Sequence, residues 1–184
     1  ALVTEGSPRG IYYWDFDGVY QGSFTISGVS GIRDLAYDHD TGHMWGGNGG
    51  GTCWEMDFTD QTLERTITGN WQCRASTYTE DDDMLYVSGW GDPVWLIEKD
   101  GTIMDSFNLT LTTSTYGFAY DRWDEAAPLL WVHDQGGTGS QILAYSLEEE
   151  KFRMIRIEDQ HVTRDFACPL SFRRVQDVIK IQKG

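Results

Sequence analysis

Residues 31–58 read GIRDLAYDHDTGHMWGGNGGGTCWEMDF. Short alternating apolar and polar runs are separated by Asp, Thr and Gly, residues that tolerate the positive φ of hairpin turns. Two later stretches repeat its opening. Ile32–Asp38 (IRDLAYD) matches Cys73–Thr79 (CRASTYT) and Thr115–Asp121 (TYGFAYD). Tyr37, Tyr78 and Tyr120 fall in register, 41 and then 42 residues apart. A fixed period of this length marks a repeated supersecondary unit, and missing it would misassign the whole fold.

Each copy continues in the same order. After the first strand comes an apolar-aromatic strand with Trp45, Tyr86 or Trp131. A Gly-rich gap leads to a third strand: Cys53–Phe58, Pro93–Lys99 or Gln141–Leu147. A fourth closes the unit: Thr62–Thr68, Thr102–Leu109 and Lys151–Glu158. Lys151 to Ile157 alternates polar and apolar, as a strand with one buried face does. Leu2–Gly18 aligns on Leu85–Gly101, two repeats away, so the chain opens at the second strand of a unit.

The expected architecture is therefore all-β, a β-propeller of four-stranded antiparallel blades over one domain, residues 1–184. A partial blade spans 2–27, and full blades span 31–69, 72–110 and 114–158. Residues 163–184 hold an apolar stretch, Phe166–Phe172, offered as a closing strand, followed by a tail. If that stretch pairs beside Leu2–Thr4, the chain is a closed four-bladed ring without exposed edges. If not, it is part of a larger propeller. Pro169 fits an inner strand poorly. A β-sandwich with regular strands is the competing fold.

Composition narrows the function classes. The chain has 184 residues, with 8 Trp, 9 Tyr, 8 Phe and 21 Gly, which suits short strands and tight turns and not disorder. The net charge of −15 opposes binding to nucleic acid, whose phosphates require a basic surface. Solubility is the plain reading of that charge, cation binding the sharper one. No apolar run reaches membrane-spanning length. Three cysteines without a Cys-x-x-Cys pair give neither a disulfide scaffold nor a zinc site.

The stretch quoted above and residues 116–147, YGFAYDRWDEAAPLLWVHDQGGTGSQILAYSL, resemble blades of bacterial secreted propellers of the YVTN and quinoprotein-like type. The likeness runs from about Gly10 to Glu158. It implies the architecture and an extracellular or periplasmic bacterial setting, with the signal peptide absent from these residues. Function is not settled by such a fold, which hosts binding scaffolds, lyases and hydrolases.

In a propeller, one face gathers the loops between second and third strands and the connections between blades. The side chains expected there as a ligand site are Arg33, Asn48, Trp71, Arg74, Trp90, Asp92, Tyr116, His133 and Asp134. Arg33 and Arg74 share a repeat position that Tyr116 fills in the third copy, so two guanidinium groups would enter one channel and bind a carboxylate or phosphate. The alternative is that each pairs with an acid such as Asp34 or Asp92. Trp71 and Trp90 would supply exposed aromatic faces for stacking. His133-Asp134 is the most enzyme-like pair, but adjacent strand residues point to opposite faces.

No Gly-x-Ser-x-Gly elbow or His-Glu-x-x-His motif exists. Gly46–Gly51 lacks the Lys-Ser/Thr of a phosphate loop and reads as a flexible hairpin. Asp38 and Asp40 have Asp-x-Asp spacing for Ca²⁺, without the rest of an EF-hand. No other cofactor is expected.

These features favour a non-catalytic binding or interaction module for a carbohydrate, peptide or protein ligand. A propeller lyase or hydrolase using Arg33, Arg74, Tyr116 and His133 is the second reading. A structural protein that self-associates through an open blade edge is the third.

Overall fold

The computed structural model describes residues 2–4, 10–112, 114–124, 128–136, 140–148, 151–153, 156–158 and 161–163. Every regular element among them is a strand. The first three, β1 (Leu2–Thr4), β2 (Gly10–Trp14) and β3 (Tyr20–Phe24), form a three-stranded antiparallel sheet. Then come β4 (Ala36–Tyr37), β5 (Met44–Gly47), β6 (Thr52–Asp57) and β7 (Thr62–Thr68), a four-stranded meander. The second meander is β8 (Ala75–Thr79), β9 (Met84–Ser88), β10 (Val94–Ile97) and β11 (Ile103–Phe107). The third is β12 (Thr115–Asp121), β13 (Leu129–Asp134), β14 (Gln141–Ser146) and β15 (Lys151–Arg153).

The strand expected over Lys151–Glu158 is divided. Only β15 pairs with β14, while β16 (Arg156–Glu158) pairs with β17 (His161–Thr163) in a separate two-stranded sheet. The closing strand proposed at Phe166–Phe172 lies outside the described residues.

The hairpins form for local reasons. Asp38 accepts bonds from the amides of Asp40 and Thr41, and Asp57 from those of Thr59 and Asp60. Both are Asx turns, in which a short carboxylate replaces a backbone acceptor. Gly18, Gly42 and Gly101 take positive φ at the turns that the Asp-Gly and Asp-Thr-Gly signals mark.

Burial is organised between sheets. One apolar cluster combines Ile11 and Ile26 with Ile32, Trp54 and Met56, joining the three-stranded sheet to the first meander. A second joins Trp45, Cys53 and Ile67 to Cys73, Leu85, Val87 and Ile97 of the next sheet. A third joins Tyr86 and Val94 to Phe118, Leu130, Val132 and Leu143. The first and second meanders thus bury both faces against their chain neighbours, with each fully buried aliphatic side chain contributing about 1.5–3 kcal/mol.

The first strands of the meanders converge. Strand β8 packs beside both β4 and β12. Asp34, just before β4, accepts bonds from Ser76 N of β8 (2.9 Å) and Phe118 N of β12 (3.0 Å) through one carboxylate oxygen. The amide of Leu35 takes the other. One side chain therefore ties three repeats together. Its repeat equivalents are Ala75 and Gly117, and Gly117 leaves the space that the Asp34 carboxylate fills.

Candidate functional site

The site grows from the close fit between the first meander and the connection leading into the second. Gly47 lies opposite Cys53 in the β5–β6 ladder. A Cβ at residue 47 would lie 2.5 Å from Cys73 Cβ and 2.6 Å from its Sγ. A Cβ at residue 51 would collide with the Gly69 carbonyl. Backbone bonds then fix the connection: Gly49 N donates to Cys73 O and Cys73 N to Gly50 O, both at 2.9 Å. The Gly-rich segment forms the β5–β6 hairpin, as its composition implied, and its glycines also make it a surface of close approach.

This fit positions Arg74. Its amide bonds Ser88 O, and its side chain crosses to the loop face, where Nη1 lies against Gly49. The guanidinium carbon sits 4.2 Å from the Trp90 ring centroid and 4.2 Å from that of Tyr116. Arg74 is 8 % exposed, and its Nε has no hydrogen-bond partner among the described residues. No ion pair to an acid forms there among the described residues either. Burial lowers its pKa, and the nearby charge of Arg33 acts in the same direction, while Tyr116 offsets both.

The aromatic wall continues outward. The Trp90 and Tyr116 rings meet edge-on at 6.1 Å, and Tyr116 meets His133 at 6.0 Å. Trp90 is 52 % exposed, with one face against Arg74. Arg33 is half-buried, and its amide bonds Gly47 O across the hairpin base. Asn48 is exposed beside Gly49, its side-chain oxygen accepting from Gly50 N. Arg33, Asn48, Arg74, Trp90, Tyr116 and His133, drawn from three repeats, thus meet on one side of the molecule.

Three expected members do not join them. Trp71 is 1 % exposed and offers no stacking face; its indole donates to Gly101 O at 3.0 Å. The indole sinks between the sheets because Gly69 leaves it room. Asp134 is buried and braces the loop, accepting from Ser114 N (2.7 Å) and Gln141 Nε2 (2.9 Å). His133 and Asp134 do face opposite ways, as strand alternation requires. Asp92 folds its carboxylate back over Gly89 towards Gln72, leaving Arg74 without an acid partner.

The opposite face carries a second polar cluster. Carboxylate oxygens of Asp38, Asp40 and Asp83 lie within 4.8 Å of one another, a spacing consistent with a cation site. Lys99 Nζ bonds Asp38 at 2.8 Å and also bonds Asp83. Tyr78 donates to Asp40 (3.0 Å) and is in contact with Asp83 (2.8 Å). Burial pushes the Asp38 pKa up, but Lys99 and the turn amides outweigh it and hold it below the usual carboxylate value. Sequence spacing found Asp38 and Asp40 but not Lys99, which lies in the next repeat.

The sequence matches no protein-family model and no curated protein. Among solved structures the chain is similar to Kuenenia stuttgartiensis hydrazine synthase, at 11 % identity and a TM-score of 0.55. That match covers 85 % of this chain and 45 % of the other, so this chain spans less than half of that protein's length. Likeness at this identity concerns the fold alone. No helix among the described residues is long and apolar enough to cross a membrane.

Proposed function

We propose that the chain is a set of propeller blades serving as a non-catalytic binding module, and that Arg74 receives a carboxylate of its ligand. The observation that carries this reading is a guanidinium packed against two aromatic rings with no ion pair to an acid among the described residues. Cation–π contacts stabilise such a group by about 0.5–2 kcal/mol, depending on desolvation. The two rings, 6.1 Å apart and steeply inclined to each other, lie on adjacent sides of the guanidinium, so at most one covers a face and N–H groups on the open side are offered to a planar anion. The exposed face of Trp90 suits the C–H face of a sugar ring. A uronate-bearing oligosaccharide satisfies both demands. Three sheets stacked through shared cores, with their first strands converging on Asp34, support the propeller arrangement. The resemblance to secreted bacterial propellers supports an exported setting.

Trp90 supplies the test. Titration with an oligogalacturonate should change tryptophan fluorescence saturably, and the methyl ester of the same sugar should not. Trp90→Ala should abolish the signal and weaken binding about tenfold, the loss of one aromatic contact. An equal response to the ester, or none to either sugar, would reject the proposal. The meeting of Arg74, Tyr116 and His133 also favours the lyase reading; release of an unsaturated sugar in the same titration would select it over simple binding.

Calcium, the metal expected from Asp38 and Asp40, has to displace Lys99 to bind their cluster. The ammonium already supplies the positive charge, so the melting temperature should be the same in Ca²⁺ and in EDTA. A rise with Ca²⁺ would show that the ion replaces the lysine.

A further inference from the structure

We infer that Cys53 and Cys73 are a built-in disulfide site that joins the first two meanders directly beneath Arg74. Both are free thiols in the structure and both are fully buried. Their proximity rests on separate observations. Cys53 lies opposite Gly47 in the β5–β6 ladder, and the Cys73 sulfur packs on the Gly47 backbone. The two belong to one apolar cluster, and Cys53 is near enough to raise the Cys73 pKa. The Cys73 backbone is pinned on both sides, by Gly49 N and Gly50 O. The missing side chain at Gly47 lets two thiols from different sheets meet.

The chemistry is thiol–disulfide exchange with a small disulfide such as oxidised glutathione. One cysteine thiolate attacks a glutathione sulfur, forming a mixed disulfide and expelling one glutathione thiolate. The second cysteine thiolate then attacks the protein sulfur of that mixed disulfide and expels the other glutathione. Two protein thiols lose two protons and two electrons, and one glutathione disulfide becomes two thiols. The neighbouring Cys53 and burial raise the Cys73 pKa and keep that thiol protonated, and burial holds both sulfurs out of reach of the oxidant. Oxidation therefore belongs to folding, when both residues are exposed, and the folded reduced protein should react slowly.

The experiment uses the full chain with Cys168→Ser, so that no third thiol competes. The protein is refolded with reduced and oxidised glutathione, alkylated in denaturant and digested with trypsin. The expected product links the tryptic peptide 34–65 to the peptide 66–74. Closing a loop of this size should raise the melting temperature by about 6–10 °C over the reduced form, a difference that a reductant removes. The same oxidant added to folded reduced protein should leave most of the thiols unreacted over the same time. Full alkylation of both cysteines after oxidative refolding would overturn the inference. So would glutathione retained on one cysteine, which would mean that the partner sulfur is out of reach.

Discussion

At the residue scale, Asp34 and His43 set how the fold responds to pH. Burial raises the Asp34 carboxyl to about 6 against the lowering effect of its three amide donors. The folded protein then holds a proton that the unfolded chain releases near 3.8, so the Asp34 contribution to stability falls as pH rises from about 3.8 to 6. His43 bonds Glu55 at 2.9 Å, and that bond raises its pKa above 6.5. Its stabilising effect is complete below 6.5 and disappears as pH rises through the folded value. Both shifts have the same sign. The melting temperature should decline between pH 4 and 8, in two parts. Asp34→Asn should flatten the acidic part and His43→Gln the part above 6.5; unchanged slopes in both variants would count against these assignments.

At the element scale, repeats are held by side chains that reach back to the preceding unit. Tyr78 donates to Asp40 of the unit before it, and Tyr120 donates to Asp81 at 2.7 Å. Arg122 adds bonds to Glu80 and Asp81. Tyr37 holds the same repeat position but is exposed, and among the described residues no acid occupies the matching place. Tyr78→Phe and Tyr120→Phe should each cost about 1 kcal/mol in denaturant unfolding, the worth of one hydrogen bond. Tyr37→Phe should cost nothing measurable, and a loss equal to that of Tyr78→Phe would contradict the clasp rule.

The strands were legible in the sequence because alternation, aromatic register and Asp-Gly turns all report local chemistry. The tyrosines in register were visible, but the acids they clasp were not, because those contacts cross repeats. Trp71 misled for a related reason. Its neighbours Asn70 and Gln72 are polar, while Gly101, which accepts its indole N–H and packs against its ring, lies in the next repeat. Asp34 left one trace: a long side chain at a repeat position held otherwise by Ala75 and Gly117. The division between β15 and β16 left a trace too: Met154 and Ile155 are both apolar, and the alternation shifts phase between them.

At the scale of the whole molecule, the chain carries a net charge of −15, and yet the described structure gathers Arg33 and Arg74 on one side. An acidic protein offers ample carboxylates to neutralise a buried arginine. Here Asp92 is turned over Gly89 towards Gln72, and aromatic rings flank the cation instead. Stacked sheets bring these residues from three repeats to one face, so the arrangement depends on the repeat as a whole. Its central consequence is that the planar fork of Arg74, and not its charge alone, receives the ligand. Calorimetric titration of oligogalacturonate into wild-type protein and Arg74→Lys tests this directly, with melting curves to show that both are folded. The account predicts at least a tenfold loss of affinity in Arg74→Lys, which keeps the charge but loses the bidentate geometry, about 1.4 kcal/mol. Equal affinity in two folded proteins would contradict it.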